Sequence, residues 1–165
     1  MKRKNGFTLV EITFVAGIVT SLSLGVYTAA LQRGKATDCL NNLKQIYQAL
    51  VMFQQDNDKL PDAKFFPSSI NDPKGIHNIL KSYNIKGKVL FCPSLPDELN
   101  KYGTNYLWND NASGKRLEDL SSSTWLLTEM TAVSKDIPPP HTGRYSVIYP
   151  DGRASTEPKI NLSPK

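Results

Sequence analysis

The chain has 165 residues, two of them cysteine, and a formal net charge of +5. Three of its cations, Lys2, Arg3 and Lys4, precede the first apolar run, so the remainder carries only +2, with its Lys and Arg dispersed; no nucleic-acid surface is indicated. Outside the apolar run about 130 residues remain, one domain's worth, with no internal repeat and one low-complexity stretch, the stiff connector Pro138-Pro139-Pro140.

Residues 1–6 form a basic leader, expected on the cytoplasmic side, with the bulk of the chain exported. From Phe7 to Leu31 the chain is apolar apart from Glu11, and the next charge is Arg33. About 25 residues of helix span roughly 38 Å, enough to cross a bilayer with some tilt. A secretory signal peptide ending near Thr28-Ala29-Ala30, a plain membrane anchor and a buried core helix compete with this reading. The run is long for a signal peptide, and an ionised acid at mid-span costs on the order of 2.5–3.5 kcal/mol, which makes Glu11 a functional candidate. A plain anchor leaves Gly6, Phe7 and Glu11 without a role.

Beyond Arg33 the apolar residues Ala36, Cys39, Leu40, Leu43, Ile46, Tyr47, Leu50 and Val51 recur at three- and four-residue steps. That period predicts an amphipathic half over 32–57, continuous with the membrane half over 7–31 because no proline interrupts Phe7 to Leu60. Turn formers from Asp56 to Pro61 end it. A second, short helix is predicted with Asp72 as N-cap, Pro73 in its first turn, and Ile76, Ile79, Leu80 and Tyr83 on one face.

After Gly87 the texture predicts strands over 88–92, 104–108 and 124–128. A final hairpin pairs 145–149 with 153–156 around Pro150-Asp151-Gly152, with Asp151 read as a type I′ turn residue. The fold class is α+β: a long helix packed on a C-terminal antiparallel sheet, with residues 58–165 as the exported globular part.

Behind a Lys-rich leader, Gly6-Phe7-Thr8-Leu9-Val10-Glu11 resembles the processing site of type IV prepilins and type II secretion pseudopilins. The resemblance implies that a membrane prepilin peptidase cuts between Gly6 and Phe7 and methylates the new Phe7 amine. It implies a pilin-like fold and a filament whose incoming Glu11 pairs with the N-terminus of a subunit already assembled. The implied partners are that peptidase, other pilin or pseudopilin subunits, the inner-membrane assembly platform and the lipid bilayer. The implied location is the bacterial inner membrane, single-pass with the C-terminal part periplasmic, and then a periplasmic or surface filament. His141, nine residues, then Asp151-Gly152 is similar to the H-x9-DG signature of a large bacterial subgroup of these proteins. Asn42-Leu43-Lys44-Gln45 behind Cys39, the Cys92-Pro93-Ser94 turn, and a Tyr-Gly-x-Asn element from Tyr102 to Asn105 look like further segments of that group. Members usually carry Arg before the histidine and a second histidine after Asp-Gly; here Pro140 and Arg153 stand there.

No nucleophile motif and no phosphate-binding loop is present, so no enzyme is expected. Two cysteines and two histidines far apart in sequence support no zinc site. Asp56, Asp58 and Asp62, and separately Asn109-Asp110-Asn111, offer oxygen ligands for calcium, but no loop of the D-x-[DN]-x-[DN]-G pattern exists and turn roles compete. Extended strand geometry separates His141 from Asp151 by roughly 30 Å, so they share a site only if Thr142-Gly143 bends back. Both cysteines lie beyond the membrane segment in a predicted oxidising compartment, and a Cys39–Cys92 disulfide is expected; the alternative is two separate buried thiols. A second functional class is a membrane-tethered module that binds a glycan or other surface ligand through Trp108, Trp125 and several Tyr.

Overall fold

The computed structural model describes residues 8–162. Its first element is one unbroken helix, α1 (Leu9–Asn57), 49 residues long and roughly 73 Å from end to end. Thr8 caps its start, and Asp58, with φ 62°, terminates it in the left-handed conformation three residues before Pro61. The two halves of α1 live in different surroundings. Cys39, Leu43, Ile46 and Leu50, at steps of four, three and four, are buried as one stripe. In the earlier half, from Leu9 to Leu31, every described side chain is exposed, apolar ones included; Leu9 is 80% exposed and Phe14 71%.

The stripe on α1 covers a four-stranded antiparallel meander: β1 (Tyr106–Trp108), β2 (Leu127–Glu129), β3 (Tyr145–Ile148) and β4 (Ala154–Glu157). Tyr106 pairs with Glu129 and Trp108 with Leu127 across β1 and β2, and Leu127 pairs with Ile148 across β2 and β3. Tyr106, Trp108, Leu127 and Ile148 belong with the α1 stripe in the main core. On the opposite face Leu107 and Val147 pack with Trp125 and Met130, and Phe65, Phe66 and Tyr102 close over them. The sheet is therefore covered on both sides, which is why its first three strands are buried at every position rather than alternating.

Three sequence expectations are corrected here. Residues 88–92 are not a strand: Gly87–Leu90 is a 3-10 turn, and Asn42 Nδ2 reaches the carbonyls of Lys88 and Phe91 at 3.4 and 3.0 Å. A side chain from α1 thus satisfies backbone groups that a neighbouring strand would otherwise need to pair. Asp72 is not a helix cap: the short helix α2 (Ile76–Ile79) starts after Gly75 and continues as a 3-10 turn over Leu80–Tyr83. The Asp72 carboxylate instead accepts the Ser68 and Lys74 amides and the Lys64 ammonium. Those donors, the Ser68 amide first, hold it well below the usual carboxylate range. Lastly, only Gly152 in the 149–153 turn has positive φ, at 78°, so this is a three-residue loop with glycine in the left-handed position and not a type I′ turn at Asp151.

One close approach gives a stability prediction. Gly103 follows the 3-10 turn Asp97–Tyr102 at φ 85°, and a Cβ there would overlap the imidazole of His77. That ring is buried, with Nε2 at 2.9 Å from the Ile70 carbonyl, and it is packed against Gly75 as well as Gly103. Gly103→Ala is expected to cost about 2–4 kcal/mol, combining left-handed strain with overpacking. Urea unfolding of the parent and variant measures it; a change within 0.5 kcal/mol, the ordinary range of surface substitutions, would refute the packing account.

Candidate functional site

Two regions carry the residues singled out in the sequence. The first is the start of α1. Gly6 and Phe7, the residues of the expected cleavage, lie outside the described residues. Glu11 lies inside them and has an immediate local role. Its carboxylate accepts from the Thr8 amide and the Thr8 hydroxyl, each at 2.8 Å, while the Glu11 amide donates to Thr8 Oγ1 at 3.2 Å. This is a capping box, two orphan donors of a helix start satisfied reciprocally. The sequence reading missed it, although Thr8-Leu9-Val10-Glu11 at the head of an apolar run is its signature.

The second region lies between α1 and the sheet, where the fold gathers residues that the sequence keeps far apart. Cys39 on α1 is joined to Cys92 by a disulfide, with Cα atoms 4.9 Å apart across 53 residues of separation. Cys92 is held by its amide, which donates to Asn105 Oδ1 at 2.8 Å, so the Cys-Pro-Ser turn and the Tyr-Gly-x-Asn element are fastened to each other. His141 Nε2 lies 2.9 Å from Glu129 Oε1 and 3.4 Å from Cys92 Sγ. The other oxygen of Glu129 accepts the Ser146 amide. All four side chains are buried, and Glu129 is 0% exposed. One ligand atom from each of Cys39, Cys92, Glu129 and His141 falls within 4.8 Å of the others.

Backbone geometry aims His141 into this cluster. Thr142 and Gly143 both have positive φ, 54° and 81°. His141 and Arg144 exchange amide-to-carbonyl bonds at 3.1 and 3.2 Å. That is the two-residue turn with both central residues left-handed, found at the entry to β3 rather than its exit. Thr142 is β-branched and pays on the order of 1–3 kcal/mol for that conformation, held there beside the buried ring. The chain does bend back at Thr142-Gly143, but onto Glu129 and not toward Asp151.

Asp151 and Gly152 sit at the far end of β3 against α1. Tyr47 donates its hydroxyl to the Pro150 carbonyl at 2.8 Å, and a Cβ on Gly152 would stand 3.0 Å from the Tyr47 ring. Burial, then the Asp151 charge, pushes the Tyr47 hydroxyl up. Asp151 caps the turn by accepting the Arg153 amide at 3.0 Å. The two ends of the H-x9-DG pattern thus fasten opposite ends of β3 and form no common site.

Other candidate ligands are occupied locally. Asp56 accepts from the Tyr83 hydroxyl, Asp58 ends α1, and Asp62 pairs with Lys74 at 2.8 Å. Asn109 Oδ1 accepts the Asn111 amide and its Nδ2 donates to the Trp125 carbonyl, leaving Asp110 at the turn surface. Trp108 is fully buried with Nε1 on Ser113 Oγ, and Trp125 turns inward with Nε1 on the Asn161 carbonyl. An open polar cleft passes Trp125, Tyr149 and Asn161, yet the Arg153 guanidinium covers the Tyr149 ring at 4.1 Å. Trp108 lies outside that cleft, and Trp125, which lines it, is only 9% exposed.

In comparisons with known proteins, the chain matches no family model, no curated protein and no solved structure.

Proposed function

We propose that the chain is a structural subunit, a pilin or pseudopilin, of a type IV pilus-like or type II secretion filament, and acts by assembly rather than catalysis. The observation that carries this reading is the unequal partnering of α1. One stripe of its second half is buried against the globular part, whereas among the described side chains ten large apolar ones from Leu9 to Leu31 are exposed. At about 1.5–3 kcal/mol each, burying them is worth on the order of 20 kcal/mol, more than the whole stability of an ordinary domain. Such a helix needs an apolar medium in every state, and a membrane followed by a bundle of like helices supplies one. α1 is the one helix among the described residues long and apolar enough to cross a bilayer.

In this reading the prepilin peptidase removes residues 1–6, Phe7 becomes the methylated N-terminus, and an inner-membrane platform moves subunits from bilayer to filament. Glu11 then exchanges its internal Thr8 partners for the Phe7 amine of a neighbouring subunit. The buried tryptophans weigh against the glycan-binding module.

The capping box separates two roles for Glu11. Gln at the third helical position also closes such a box but carries no charge. Glu11→Gln and Glu11→Val are both expected to leave membrane insertion intact and to lower filament incorporation at least tenfold. Immunoblots of sheared surface and membrane fractions read both quantities. Normal assembly by the Gln variant with loss in the Val variant would assign Glu11 to capping alone and remove charge pairing from the mechanism.

A further inference from the structure

The buried cluster behind the disulfide has a composition that a disulfide does not require. A structural bridge needs two sulfurs and apolar surroundings; here a fully buried carboxylate and a buried imidazole face the same sulfurs. We infer that Cys39, Cys92, Glu129 and His141 are the four ligands of a zinc site in the reduced chain, so that disulfide and metal are alternative closures of one cluster.

Geometry and charge both support this. Tetrahedral zinc, with Zn–S about 2.3 Å and Zn–N or Zn–O about 2.0–2.1 Å, holds its ligand atoms roughly 3.3–3.8 Å apart. The histidine-to-carboxylate and histidine-to-sulfur separations are 2.9 and 3.4 Å, and the whole set lies within 4.8 Å. Once the S–S bond opens, rotation of the Cys39 and Cys92 side chains about their own torsions would carry the two sulfurs apart to an edge of that tetrahedron. Two thiolates and a carboxylate then place three negative charges around one buried point, which a divalent cation neutralises to a single one. In the oxidised chain Nε2 donates to Glu129 Oε1; metal binding would need that proton on Nδ1, which has no competing hydrogen-bond partner among the described residues, leaving the Nε2 lone pair for the metal. Access exists as well: Cys92 lines an open cleft together with Asp38, Asn42 and Asp97, between the start of the α1 stripe and the 3-10 turn at Asp97–Tyr102.

The chemistry balances simply. A dithiol reductant gives two electrons and two protons to the Cys39–Cys92 bond and leaves as its own disulfide. Zinc then displaces both thiol protons to solvent as two sulfur–zinc bonds form. A chain that meets zinc before it meets an oxidant needs no reductant, because its cysteines are made as thiols. This inference concerns the globular part and stands independently of the filament reading.

The test uses the full chain in detergent micelles, either oxidised or reduced with a water-soluble phosphine, and titrated with zinc or with cobalt as a spectroscopic stand-in. The reduced chain is expected to retain one zinc per chain through gel filtration. With cobalt it is expected to show thiolate-to-metal charge transfer and the strong visible bands of a tetrahedral site; the oxidised chain is expected to show neither. Glu129→Gln and His141→Gln are expected to weaken zinc binding more than about 100-fold, the upper range for losing a mere outer-shell partner. Each variant is first checked for native circular dichroism in its oxidised form. A folded reduced chain that binds no stoichiometric metal overturns the inference. So does a chain that stays unfolded when reduced in the presence of zinc, since metal binding at this site would contribute to folding. Unchanged affinity in both folded variants also overturns it, because the metal would then be held by the cysteines alone.

Discussion

Glu129→Ala is expected to destabilise the globular part by about 2–5 kcal/mol, the combined cost of leaving two buried donors without an acceptor and opening a cavity. The side chain is completely buried, and each of its oxygens has a defined donor: Oε1 faces His141 Nε2 at 2.9 Å, and Oε2 accepts the Ser146 amide. Alanine leaves both donors without an acceptor between α1 and the sheet, and opens a cavity as well. Glu129→Gln keeps the volume and an acceptor for Ser146, so it should cost only about 1–2 kcal/mol in the oxidised chain. Trp108 and Trp125, the chain's two tryptophans, both lie in the globular part and report its urea unfolding by fluorescence. An alanine variant within 1 kcal/mol of the parent would show that the pair contributes nothing net to the fold.

Removing the disulfide should have an effect of similar size. The bridge closes a loop of 53 residues, for which the chain-entropy model gives about 4 kcal/mol. That is a large share of the 5–15 kcal/mol typical of a domain. Cys39→Ser with Cys92→Ser should therefore lower the urea midpoint sharply, with a slope as steep or steeper because the unbridged denatured chain exposes more surface. Mass spectrometry of the oxidised parent supplies the companion check: no alkylatable thiol is expected. Two free thiols in protein kept oxidised, or a serine variant as stable as the parent, would contradict the stabilising bridge.

The helix and the hairpin were legible because each follows a period the backbone imposes. The stripe Cys39, Leu43, Ile46 and Leu50 reads as a helix face whatever it packs against, and no proline interrupts it. Likewise β3 and β4 flank an obvious glycine turn, although Pro150 favours the three-residue loop over the type I′ turn expected there. Residues 88–92 misled because a short apolar run has no period of its own, and Asn42, 46 residues before Lys88 and 49 before Phe91, settles its conformation. The buried cluster was illegible for a related reason. Its members lie on a helix, a turn, a strand end and a second turn, and no local pattern links Glu129 to Cys39. The Glu11 capping box, by contrast, was fully readable and was overshadowed by the charge argument.

The central claim, that α1 is the processed and polymerising helix of a filament subunit, is tested most directly at its N-terminus. Protein sheared from the cell surface and protein retained in membranes should both be analysed by N-terminal mass spectrometry. The account predicts a chain beginning at Phe7 with a methylated amine in the filament fraction. A chain beginning at Met1 in that fraction, or one cut near Ala30 as by signal peptidase, would contradict it.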